Sequence, residues 1–208
     1  SMLLMPDPID RSAALGPLKV LSNAARWDAI KSDLIEAMIW DRSVPQELCR
    51  TLSTVPAVHR IDGRETLTID RIADYVTTLT RLWGLDPCAA TEWLARDIAM
   101  LAARLTDQIG DREVLVRIEW IEDNACCKFH CDRVEARVIC TYLGPGTEYG
   151  FANAQGEVGD VAQVPTGCPI VLKGKLWPGV PPSSLLHRSP AIEGTGQTRL
   201  VVVLNEAL

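Results

Sequence analysis

The strongest constraint on this chain is a change of hydrophobic period near Asp111. In Glu113 to Trp120, Val114, Val116, Ile118 and Trp120 alternate with Arg117 and Glu119, as a half-buried strand requires. Val134, Ala136, Val138, Cys140 and Tyr142 repeat the alternation from Arg133 to Tyr142. Further short strands are expected at Glu148 to Ala152, Val158 to Val164, Pro169 to Leu172, Ser184 to Arg188 and Thr198 to Asn205, divided by Gly- and Pro-rich turns. Short strands with no helices between them imply an antiparallel sandwich or barrel over residues 112–208.

Residues 17–111 carry the helical period instead. Trp27, Ile30, Leu34 and Met38 predict an amphipathic helix between Ser22 and Arg42, and a shorter helical turn is expected from Pro45 to Leu52. Thr68 opens a helix whose apolar face is Ile72, Val76, Leu79 and Leu82, stopped by Gly84. After Asp86-Pro87 another runs to Ile109, with Gly110 as its cap. Residues 1–16, with Pro6 and Pro8, predict an irregular arm, and Ser1-Met2 looks like a tag remnant. The expected fold class is α+β: an N-terminal helical region packed on a C-terminal β core, forming one cooperative unit.

Composition excludes more than it selects. A hydrophobic fraction of 47% with 23% charged residues is that of a soluble globular chain, and no apolar run nears the ~20 residues of a transmembrane helix. The net charge of -6 offers no electrostatic ground for nucleic acid or anionic lipid. Seven irregularly spaced cysteines do not make a disulfide framework, so they are expected reduced and buried in a cytoplasmic protein. Oligomeric state is not readable.

Three histidines narrow the chemistry. His130 and Asp132 stand two positions apart, so in an extended segment an imidazole and a carboxylate point the same way. His187, late in the β half, offers a third ligand, whereas His59 sits in a loop-like stretch that reads as surface or cap. Two histidines and one carboxylate on a β scaffold hold Fe(II) and leave adjacent positions open. Arg199 opens the final strand, where a guanidinium fork pairs with a carboxylate. The residues leave other readings open: a core histidine bonded to Asp132, a loop histidine and a strand-edge arginine, or a zinc site using Cys126, Cys127 and Cys131 beside His130.

The order His130-x-Asp132, His187, Arg199 resembles the Fe(II)/2-oxoglutarate dioxygenase superfamily, whose core is a double-stranded β-helix (a jelly roll, cupin-like). RVICTYLGPGTEY and GCPIVLKG followed by LLHRSPAIEGTGQTRL resemble its later strands. More narrowly, FHCD with TYLGPGTE and HRSP is similar to the domain-of-unknown-function 1826 family. The resemblance implies iron ligands His130, Asp132 and His187, with Zn or Ni as substitutes in the isolated protein. It implies 2-oxoglutarate as a small-molecule cosubstrate, its distal carboxylate on Arg199 and Tyr142. The implied activity is oxygenation of an unidentified substrate. Two alternatives accompany it: a non-catalytic divalent-metal jelly roll for sensing, storage or metal homeostasis, and a β-sandwich interaction module.

Overall fold

The computed structural model describes residues 16–110 and 113–208. The irregular arm, apart from Gly16 in a turn, lies outside the described residues, as do Asp111 and Arg112. The protein is a mixed α+β fold with a large sheet and few helices. In chain order come β1 (Leu18–Leu21), a 3-10 segment (Ala24–Lys31), β2 (Ala37–Trp40), α1 (Gln46–Ser53), β3 (Gly63–Thr68), α2 (Ile69–Leu82) and α3 (Ala89–Ile109). The rest is strand: β4 (Glu113–Ile121), β5 (Ala136–Leu143), β6 (Glu148–Phe151), β7 (Ala162–Gln163), β8 (Pro169–Lys173), β9 (Leu185–Arg188) and β10 (Arg199–Glu206). Among the described residues, seven strands form one sheet in the order β1-β2-β8-β5-β10-β4-β3, and β7-β6-β9 form a second. Only β1 and β2 pair in parallel in these sheets.

The alternation in β4, β5 and β10 decides what each face meets. Val114, Val116, Ile118, Val138, Cys140, Tyr142, Leu200, Val202 and Leu204 join one apolar cluster with the buried sides of α2 and α3. Each aliphatic side chain taken fully from water there contributes about 1.5–3 kcal/mol. The opposite row, including Ile139, Val201 and Val203, packs with Leu185, Tyr149 and Phe151 of the small sheet. The two sheets thus enclose a second, smaller core, and polar members of that row are free to build a site.

The helix expected from Ser22 to Arg42 does not form. Trp27 and Ile30 are buried by the 3-10 segment, but Leu34 is 82% exposed, and Ala37–Trp40 is a strand. The cause is the edge of β8: all five of its residues are buried, and its N–H and C=O groups need a partner strand, which β2 supplies from Ala37↔Leu172 to Ile39↔Ile170. Residues 17–111 are therefore not a helical region alone, since β1, β2 and β3 extend both ends of the large sheet. The strand β3, in a stretch expected to be loop, hides because Arg64, Glu65 and Thr66 are exposed on an edge.

The later helices follow their sequence signals. Thr68 precedes α2, and α3 ends at Gly110, whose φ of 79 is left-handed. The strand expected from Val158 to Val164 contracts to β7 and one bridge, Ala152↔Val158. No described helix is long and apolar enough to cross a membrane.

Candidate metal centre

His130 and His187 meet through their backbones. The N–H of each donates to the carbonyl of the other at 3.0 Å, an isolated antiparallel bridge between the segment before β5 and strand β9. This lays the two imidazoles side by side, ring centroids 4.4 Å apart. Asp132, two residues after His130, points into the same space: Oδ1 is 3.3 Å from His130 Nε2, and Oδ2 is 3.0 Å from His187 Nε2. The three ligand atoms all lie within 4.8 Å of one another, close enough to share one ion.

Hydrogen bonding prepares these groups. Nδ1 of His130 stands 2.7 Å from the Lys128 carbonyl, which selects the tautomer that donates there and leaves a lone pair on Nε2. Asp132 Oδ2 stands 3.0 Å from His187 Nε2 and is a buried acceptor without a hydrogen-bond partner. Contact with Asp132 raises the His130 pKa, against the opposing effect of burial. Burial would raise that of Asp132, but His130, His187 and Arg137 together hold it well below the usual carboxylate range. Asp132 is therefore anionic at neutral pH, as a metal ligand must be. Its backbone is fixed by Lys175, whose N–H donates to the Asp132 carbonyl at 2.8 Å, and Gly174 permits this close approach, since an added Cβ would stand 1.9 Å from the Val134 oxygen and 2.9 Å from that of Asp132.

The cluster opens into a cavity of about 370 Å³ between the sheets, lined also by Arg199, Thr147, Arg137 and Arg117. Arg199 is 1% exposed. Its Nε donates to the Pro145 carbonyl at 2.7 Å and Nη2 to Thr141 Oγ1 at 3.3 Å, while Nη1 is buried with no partner. Burial lowers its pKa to about 10, against the opposing charges of Glu148 and Glu119. Gly144 lets the β5–β6 turn approach this arginine: its φ is +80, and a Cβ would lie 3.0 Å from Arg199 Cγ.

The model of the family described as "Protein of unknown function (DUF1826)" matches residues 22–205. The chain belongs to that family. No curated protein matches the sequence of this DUF1826 member. Solved structures share its fold. The rice dioxygenase for auxin oxidation (DAO) is similar at a TM-score of 0.53 and 14% identity, over 91% of this chain and 82% of that one. Dioxygenase for auxin oxidation 1 from Arabidopsis thaliana, solved as a binary complex with 2-oxoglutarate, gives 0.51 at 12% identity, over 91% of each chain.

Tyr142 of the DUF1826 chain is not brought to this cavity. It lies on the opposite face of β5, fully buried, and its hydroxyl donates to Asp97 Oδ2 of α3 at 2.6 Å. Asp97 also accepts from Nη1 and Nη2 of Arg42, at 2.5 and 2.7 Å. The reason is strand parity: Tyr142 belongs to the apolar row with Val138 and Cys140, and its neighbour Thr141 is the residue that meets Arg199. Arg137 and Thr141 are the polar positions that alternate with that apolar row along β5, which is the sequence signal for them, whereas Thr147 lies in the turn before β6 and carries no such signal.

Cys126, Cys127 and Cys131 do not join the ligand cluster found among the described residues, and His59 lies outside it in an exposed 3-10 turn. The cysteines are free, but only Cys140 and Cys168 are buried. Cys126, Cys127 and Cys131 sit in the loop between β4 and β5, Cys88 at the entry to α3 and Cys49 on the exposed side of α1.

Proposed function

We propose that the protein is an Fe(II)- and 2-oxoglutarate-dependent oxygenase built on a double-stranded β-helix, with a substrate still to be identified. One observation carries this reading: a His-Asp-His cluster and a buried arginine with an unpaired nitrogen line one cavity. The residues fit both groups. His130, Asp132 and His187 would hold the metal in a two-nitrogen, one-carboxylate set that suits Fe(II) and leaves positions open. Arg199 would take the distal carboxylate of 2-oxoglutarate through Nη1, with the Thr141 hydroxyl beside it and Thr147 in the cavity wall. Bound iron with its cosubstrate would supply the oxidative chemistry, in which O₂, 2-oxoglutarate and a substrate C–H bond yield succinate, CO₂ and the hydroxylated substrate. The protein orients the ligands and shields two of the three from water: His187 and Asp132 are 7% and 10% exposed at their side chains, while His130, at 37%, stands at the open side of the site.

The test is succinate production from 2-oxoglutarate in air with Fe(II), paired with calorimetric binding of 2-oxoglutarate. Wild type should form succinate and the His130→Ala variant should not. Metal uptake without 2-oxoglutarate binding or succinate would instead favour a non-catalytic metal protein.

A further inference from the structure

Besides the two histidines, the Asp132 carboxylate is met by an arginine from β5. Arg137 donates through Nε and Nη2 to the side-chain oxygen of Asn205, at 3.1 and 3.0 Å. Asn205 lies opposite it on β10, fully buried, with its own amide nitrogen donating to the Glu206 carbonyl at 2.9 Å. That fork holds the guanidinium so that Nη1 reaches Asp132 Oδ1 at 2.7 Å. The contact from His130 Nε2 to the same oxygen is longer, 3.3 Å, so Arg137 has the first claim on it. Oδ2 has no hydrogen-bond partner and faces His187.

A guanidinium fixed beside a cation site works against metal binding by Coulomb repulsion. Its placement is explained if what it contributes is geometry. We propose that Arg137 is a positioning residue: it ties down Oδ1 so that Asp132 presents one oxygen, Oδ2, to the metal held with His130 and His187. This rests on the metal reading above. A carboxylate free at both oxygens can chelate through both and take up a position that the cosubstrate needs. With Oδ1 engaged by Arg137, that second attachment is blocked. Asn205 acts one step further out, as the brace for Arg137.

Geometry and charge predict opposite signs, which makes the proposal testable with Co(II) as the probe. Wild type, Arg137→Gln and Arg137→Lys are titrated with Co(II) by calorimetry and by its visible absorption, with thermal unfolding of the metal-free proteins as the check on folding. Arg137→Gln removes a positive charge next to the cation, yet positioning predicts that it binds Co(II) about 10–100-fold more weakly, with an altered absorption band. Arg137→Lys keeps the charge but has a single nitrogen for Asn205 and Asp132, so it should weaken binding as well. Binding by Arg137→Gln as tight as wild type or tighter, with an unchanged band, overturns the proposal. If the Gln variant fails to fold, the Lys variant decides: weaker binding supports the positioning role, and wild-type affinity overturns it. Wild type that takes up no Co(II) defeats the metal reading itself, whereas wild-type uptake with indifferent variants defeats only the role of Arg137.

Discussion

His130 and His187 exchange backbone hydrogen bonds, each N–H to the other's carbonyl at 3.0 Å, so the pairing that joins two distant segments also brings their imidazoles together. A ligand that binds only this folded arrangement stabilises it by mass action. Fe(II) or Co(II) at about 100 times its dissociation constant should add about 2.7 kcal/mol, or about 5–10 °C in melting temperature for a chain of this size. His187→Ala should abolish that shift. Calorimetric scans with and without metal check it, and an equal shift in the variant would place the ion elsewhere.

Arg199 is predicted to govern the cosubstrate and not the metal. Arg199→Lys keeps a charge but loses the fork that holds Pro145, Thr141 and one free nitrogen. Its affinity for 2-oxoglutarate should fall about tenfold or more, the ~1.4 kcal/mol or greater that separates a charged hydrogen bond from its loss. Co(II) affinity should stay at the wild-type value. Competition binding with both ligands separates the two effects.

Tyr142 gives the complementary result. Tyr142→Phe removes one of the hydrogen bonds to Asp97, which keeps both contacts from Arg42, so the cost is about 1–2 kcal/mol in urea unfolding. The affinity for 2-oxoglutarate should not change. Asp97→Ala is harsher: Arg42 and Asp97 have side chains only 7% and 4% exposed, and an unpaired guanidinium left there should cost about 3–5 kcal/mol.

Metal uptake should weaken in mild acid. The His130 pKa stands above its ordinary value because of Asp132, with burial opposing, so in the metal-free protein this imidazole takes its proton at a higher pH than usual. A proton there competes with the metal for the pair. The sign for stability follows: the raised pKa contributes stability to the metal-free fold below about pH 6.5, and that is lost as pH rises through the folded value. Lowering pH from 7.5 to 6 should therefore reduce Co(II) affinity while strengthening the His130 contribution to the metal-free fold. Titrations and melts at both pH values check this.

Glu36 tests how β9 is held. Its Oε1 accepts from the backbone N–H of Ser183, Ser184 and Leu185 at 2.7–3.2 Å, and Oε2 accepts from the Ser184 hydroxyl. Glu36→Ala strands these donors just before His187. A loss of about 1–3 kcal/mol is expected, with faster amide exchange at residues 183–187.

What the sequence by itself determined was whatever rests on local spacing. The period of two along β4, β5 and β10, the helices α2 and α3 with their glycine stops, and the i, i+2 placement of His130 and Asp132 all follow from steric rules within a few residues. Tertiary structure decided the rest. Ala37–Trp40 became a strand because β8 needed an edge partner, which outweighed the helical spacing of Trp27, Ile30 and Met38. Tyr142 went to Asp97 and Thr141 to Arg199 because strand parity assigns neighbours to opposite faces, and which face holds the cavity depends on where β9 closes over the sheet. The meeting of His187 with His130 and Asp132, and of Arg137 with Asn205, joins residues far apart in the chain. No local rule carries such distances; the pairing of strands does.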